Sequence, residues 1–174
     1  MRNILAAVIA VLAMTPCMRS SAADAELGAY AELLPTKGST VKGTIVFDRL
    51  GANAMLVRAR VAGLTPGTHG FHIHEYGDCS GDDALSAGGH FNPFKAQHGG
   101  WMTSDRHAGD LPVLEADASG NAVLAVQLDL ISLEGGPGDI VGKSVVVHQD
   151  PDDYKTQPAG GSGNRVACGV IRRP

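Results

Sequence analysis

From residue 29 onward, apolar residues tend to recur at every second position in short runs, and the runs are separated by Gly, Pro, Asn and Asp. Residues 29–34, 41–47 and 55–61 form three such runs, and 68–74 continues the series. After a long middle segment come 113–116, the turn Asp117-Ala118-Ser119-Gly120-Asn121 and 122–128, and then 144–148 and 166–171 close the pattern. A period of two puts successive side chains on opposite faces of a strand. No stretch carries the 3.6-residue period of an amphipathic helix. The pattern therefore predicts an all-β chain of eight short antiparallel strands, closed as a barrel or packed as a sandwich.

Two segments interrupt the spacing, residues 75–110 and 149–164. Irregular connections of this length are functional or disordered. Each follows directly on a histidine, His74 and His148, which favours function, with a bound metal supplying order that the composition does not.

The strand over 68–74 places His72 and His74 on one face and Phe71 and Ile73 on the other. The apolar pair enters a core and the two imidazoles stand outside it, side by side, as a chelating pair. Alone, such a pair is equally compatible with two surface histidines. However, five of the seven histidines fall between residues 70 and 110. His90, His98, His107 and Asp110, among Gly99, Gly100 and Gly109, form three imidazoles and a carboxylate, the donor set of a tetrahedral zinc site. His148 ends the run Val145-Val146-Val147 at a loop mouth, where it can join His72 and His74. His69 falls on the Phe71 face and is assigned a structural hydrogen bond instead.

The first residues of the 174-residue chain differ from the rest. Arg2, the uncharged apolar run 4–14 and the small residues Ser20-Ser21-Ala22-Ala23 predict a secretory signal peptide over 1–23 and a single domain over 24–174. The run is shorter than the roughly 20 apolar residues of a membrane span, so no membrane partner is expected after cleavage, a retained anchor being the alternative. Cys17, after Pro16, makes a poor lipidation site and leaves with the signal. Cleavage also removes Arg2 and Arg19 and no acid, lowering the formal charge of −4 by two more. A chain this acidic lacks the clustered cations that nucleic acid requires. Cys79 and Cys168 remain, and an even pair in an exported protein reads as a disulfide, two buried thiols being the alternative.

Six motifs, in order, extend this reading: Gly70-Phe71-His72-Ile73-His74-Glu75-Tyr76-Gly77-Asp78, Gly89-His90-Phe91-Asn92-Pro93, His98-Gly99-Gly100, His107-Ala108-Gly109-Asp110, Val147-His148, and residues 160–171 with Arg165 and Cys168. Together they resemble the copper/zinc superoxide dismutases over nearly the whole mature chain. Asp110-Leu111-Pro112, Asp153-Tyr154 and the export signal resemble the bacterial periplasmic branch. The resemblance implies an eight-stranded Greek-key barrel with a metal-binding loop and an electrostatic-type loop. It implies one copper ion on His72, His74, His90 and His148 and one zinc ion on His90, His98, His107 and Asp110 per subunit, with His90 bridging them. It further implies Arg165 as the catalytic residue that positions the superoxide anion, held near copper by the Cys79–Cys168 bridge, and His90 as the group that carries a proton. Asp152 is implied as a carboxylate bonding one copper and one zinc histidine.

The activity implied is dismutation of superoxide to dioxygen and hydrogen peroxide, in the periplasm, by a monomer or a homodimer. An exported copper and zinc store is the alternative, and it would have no use for Arg165. Because superoxide is an anion and the chain is acidic, steering depends on local potential, to which the second loop contributes only Lys155.

Overall fold

The computed structural model describes residues 26–51 and 54–174, so the signal peptide expected over 1–23, with Cys17, lies outside the described residues. The described residues form nine strands: β1 (Glu26–Pro35), β2 (Lys42–Arg49), β3 (Met55–Ala62), β4 (Gly67–His69), β5 (Phe71–His74), β6 (Leu114–Ala116), β7 (Ala122–Leu128), β8 (Ser144–His148) and β9 (Arg165–Val170). The one helical element among the described residues is a 3₁₀ turn, Leu85–Ala87. None is a helix long and apolar enough to cross a membrane.

Seven strands form one antiparallel sheet in the order β5-β8-β9-β1-β2-β3-β7, and β4 pairs separately with β6. The sheet curls around a core that includes Ile45, Phe47, Val57, Phe71, Ile73, Leu114, Ile140 and Val145, in agreement with the Greek-key barrel expected. β3 shows the alternation behind this packing: Met55, Val57, Ala59 and Val61 are buried while Arg58 and Arg60 face water.

The strand predicted over 68–74 is two strands. β4 pairs with β6 and β5 with β8, so the chain changes sheets at Gly70. The corner is held by the second loop, because Gly70 N–H donates to the Asp150 carbonyl at 2.9 Å and His148 N–H donates to the Gly70 carbonyl at 2.8 Å.

β5 is an edge of the seven-stranded sheet, and unpaired edge groups demand partners. The long first loop supplies them. Ile73 N–H donates to the Gly109 carbonyl at 2.9 Å, Phe91 N–H donates to the Ile73 carbonyl at 2.8 Å, and Gly109 N–H donates to the Phe91 carbonyl at 2.9 Å. A Cβ on Gly109 would lie 2.2 Å from the Ile73 carbonyl oxygen, so only glycine permits this approach. The same pairings set His90 and Asp110 beside His74 and His72.

Candidate metal centre

The alternation on β5 holds, but its outcome differs from the expectation that the imidazoles stand outside. All four side chains are buried, His72 and His74 as completely as Phe71 and Ile73. The two loops close over the histidine face and make it a second, polar interior. His148 arrives at the end of β8, where the register with β9 shifts: Val147 pairs with Ala167 and His148 with Arg165. Val166 is the extra residue, and a bulge of this kind re-aims side chains beside a site.

Two groups of donor atoms result, each lying within 4.8 Å of one another: His72, His74, His90 and His148, and then His90, His98, His107 and Asp110. All seven residues are buried, and His90 belongs to both groups. Most of the rings are tethered through one nitrogen, leaving the other turned inward. In the first group His72 Nε2 donates to Asp152 Oδ2 at 2.7 Å, His74 Nδ1 donates to the Gly88 carbonyl at 3.0 Å, and His148 Nδ1 faces the Gly163 carbonyl at 3.4 Å. The free nitrogens of His74 and His148 face each other at 3.4 Å. In the second group Asp110 Oδ1 lies 2.9 Å from His90 Nδ1, 3.0 Å from His98 Nδ1 and 3.4 Å from His107 Nδ1. Its Oδ2 accepts from Gly99 N–H at 3.0 Å and His107 N–H at 2.9 Å.

Among the described residues, three buried ring nitrogens have no hydrogen-bond partner: His72 Nδ1, His90 Nε2 and His107 Nδ1. Leaving a buried polar atom unpaired is costly. Here the orphans point into the two donor groups, where cations would satisfy them, so these residues fit one copper and one zinc.

The ionisation pattern agrees. Burial pushes His90 down to about 4 and His148 down to about 2, and repulsion from His72 adds to both. Burial likewise lowers His72, and lowers His74 well below the usual imidazole value. These rings are neutral at pH 7 and keep lone pairs for a metal. Burial opposes charge on His98 too, but its hydrogen bonds to Asp110 and Asp152 prevail and raise it to about 9. A ring between two carboxylates must carry two protons to donate to both, so positive charge is favoured at this seat. Burial would raise the Asp110 and Asp152 carboxyls, yet their histidine donors hold both well below the usual carboxylate range.

Asp152 joins the groups, accepting from His72 through Oδ2 and from His98 through Oδ1, the latter at 3.0 Å. Half-buried Arg165 opens β9, donating from Nη1 to the Ala84 carbonyl and from Nη2 to the Gly88 carbonyl, both at 2.6 Å. The Cys79–Cys168 disulfide is formed, with Cα atoms 5.7 Å apart, and ties the loop bearing those carbonyls to the strand bearing Arg165. His69 stays outside the site. Its ring nitrogens lie 3.0 Å from the His148 carbonyl and 2.8 Å from the Thr65 carbonyl, the structural role expected. Trp101 packs against the core, and Asp82 pairs with Lys37 at the surface.

Other residues that position the site were not singled out from the sequence. Glu75 Oε1 accepts from Gly89 N–H at 3.1 Å, next to His90. Buried Arg106 donates to the Thr103 carbonyl and to Asp129, pinning the loop before His107. A charged residue directly preceding a candidate ligand, His107, was the available signal. Gln157 carried none.

Comparison with known proteins places this geometry among relatives. The sequence profile described as Copper/zinc superoxide dismutase (SODC) matches residues 41–171. The chain is 41% identical to the extracellular superoxide dismutase (Cu-Zn) of Caenorhabditis elegans, across 94% of this chain and 76% of that protein. It is 38% identical to superoxide dismutase (Cu-Zn) 2 of Aquifex aeolicus strain VF5, across 93% and 96%. Among solved structures it superposes on the crystal structure of the clock protein EA4 with a TM-score of 0.77 and 38% identity, covering 85% of this chain and 96% of that one.

Proposed function

Because the chain belongs to the copper/zinc superoxide dismutase family, and so converts superoxide to dioxygen and hydrogen peroxide with one copper and one zinc ion per subunit, we propose the following roles for its residues. His72, His74, His90 and His148 hold copper; His90, His98, His107 and Asp110 hold zinc. The observation that carries this reading is the set of orphaned buried nitrogens on His72, His90 and His107, which lie in the two donor groups. Copper supplies a one-electron couple, and zinc a redox-silent charge that anchors His90.

The protein's own groups do the rest. Two superoxide anions and two protons give one dioxygen and one hydrogen peroxide, so the site must dock an anion twice and deliver protons. Arg165 docks the anion: its guanidinium is permanently charged, and the two carbonyls it bonds fix its plane. His90 holds one of the protons at Nε2 between the two half-reactions, with its Nδ1 kept on the Asp110 side. Asp152 fixes the tautomer and orientation of His72 and His98.

The disulfide supports an oxidising compartment, and we place the enzyme in the periplasm after removal of residues 1–23. Whether the enzyme is a monomer or a homodimer is read by light scattering of the metal-loaded protein. The residue roles are tested by loading the mature chain with both metals, verifying one of each per subunit, and following superoxide decay with and without Arg165→Ala. Full loading with no effect of Arg165→Ala would remove Arg165 from the mechanism. Full loading with no superoxide removal would leave a metal store.

A further inference from the structure

The loop over residues 149–164 has no regular secondary structure, yet three of its side chains grip the chain between β5 and β6. Asp152 Oδ1 accepts from His98 Nε2 at 3.0 Å, and Tyr154 Oη accepts from Val113 N–H at 2.9 Å. The third contact is made by Gln157 to the main chain of His98. Its Oε1 accepts from His98 N–H at 2.9 Å, and its Nε2 donates to the His98 carbonyl at 2.8 Å.

A side-chain amide that offers one acceptor and one donor to the N–H and C=O of a single residue reproduces the pairing of a β ladder. His98 needs such a partner because it lies in irregular chain, with Gly99 and Gly100 directly after it. Among the described residues the N–H and C=O of His98 make no other hydrogen bond, and the one further tie on these peptides is Gly99 N–H to Asp110 Oδ2 at 3.0 Å. With the peptide clamped by Gln157 and the ring tethered through Nε2 by Asp152, His98 Nδ1 is aimed at Asp110 Oδ1, 3.0 Å away. Apart from the shared His90, the rings of the copper group have other tethers, Asp152 for His72, the Gly88 carbonyl for His74 and the Gly163 carbonyl for His148.

We infer that Gln157 is a positioning residue for zinc: by clamping the peptide of His98 it sets zinc retention without touching the metal and without altering the copper group. This rests on the zinc assignment proposed above. Gln157 is exposed and far in sequence from the ligand it holds, so its replacement leaves the core untouched.

The test compares the protein carrying both metals with Gln157→Met, which keeps the length of the side chain and loses both bonds, and Gln157→Glu, which keeps the acceptor for His98 N–H and loses the donor. Zinc transfer to a chromogenic chelator is timed and copper content is read in the same samples. The spectrum of cobalt(II) in the zinc site and deuterium exchange at the His98 amide report the geometry. Outer partners of ligands change metal affinity by roughly ten- to a hundredfold, and an exposed pair of neutral bonds belongs at the lower end. Gln157→Met is expected to release zinc about tenfold faster, with altered cobalt bands, faster His98 exchange and unchanged copper, and Gln157→Glu to fall between. Zinc release at the wild-type rate in Gln157→Met would overturn the inference alone, as would parallel loss of copper. A wild-type chain that takes up no zinc would overturn the zinc assignment with it.

Discussion

Arg165 and His74 donate to the same oxygen, the carbonyl of Gly88, at 2.6 Å from Nη2 and 3.0 Å from Nδ1. One peptide thus fixes both the guanidinium proposed to dock the anion and the orientation of a proposed copper ligand. Replacing Arg165 by Ala should therefore leave metal content intact and lower the rate constant for superoxide removal. A charge-assisted hydrogen bond of about 1.5–3 kcal/mol corresponds to roughly a ten- to hundredfold loss. Pulse radiolysis on fully metallated protein reads it, and Arg165→Lys should recover part of the rate by restoring charge without the fork.

Asp152 spans the two donor groups, so its loss should be felt by both metals. Asp152→Ala is expected to weaken copper and zinc binding roughly ten- to a hundredfold each, read by competition with chelators of known affinity. Loss confined to one metal, or to none, would show that Asp152 does not couple the two donor groups.

Gly160 offers a second route to the same bridge. Its φ is +66°, and an added Cβ would sit 1.8 Å from Asp152 Oδ1 and 2.8 Å from His98 Nε2. Gly160→Ala should displace the carboxylate and reproduce the zinc loss of Asp152→Ala, alongside a cost of about 1 kcal/mol or more for a non-glycine at positive φ. Isothermal titration of the metal-free variant with zinc measures the first effect and urea unfolding the second.

The disulfide closes a loop with a sequence separation of 89 residues. In the chain-entropy model a loop of this size contributes about 4–5 kcal/mol. The double variant Cys79→Ser/Cys168→Ser should lose much of that in urea unfolding. It should also slow superoxide removal, because the carbonyls that hold Arg165 are then no longer tied to β9.

For the metal-free protein, stability should fall on acidification. Unfolded imidazoles titrate near 6.5. His72 and His74 are lowered by burial, His90 lies at about 4 and His148 at about 2. Between pH 7 and pH 5 the unfolded chain gains protons at these four that the folded chain refuses, so folding weakens. His98, at about 9, acts in the opposite sense: its contribution is complete below 6.5 and lost as pH rises toward 9. Four groups outweigh one, and the urea midpoint should be lower at pH 5 than at pH 7. A higher midpoint at pH 5 would contradict the burial of the four rings.

Much of the centre was legible in the chain because its signals are local. Alternation on β5 put His72 and His74 on one face, and the Gly-rich segments carrying His90, His98, His107 and Asp110 announced a small centre. The strand break at Gly70 was not legible, because residues 68–74 alternate without interruption and the corner depends on the Asp150 carbonyl and His148 N–H, almost 80 residues away.

The order of the residues by itself determined which donors exist, which strand faces they share, and that two long loops adjoin them. Those properties follow from side-chain chemistry and from a period of two, both set within a few residues. Tertiary structure alone decided that the histidine face is interior, which nitrogen of each ring is tethered and which is left for a metal, and that Gln157 clamps His98. Each of these depends on how two aperiodic loops close against one another. No periodicity encodes that closure; the need of buried polar groups for partners selects it, and it is satisfied only when the whole chain is folded.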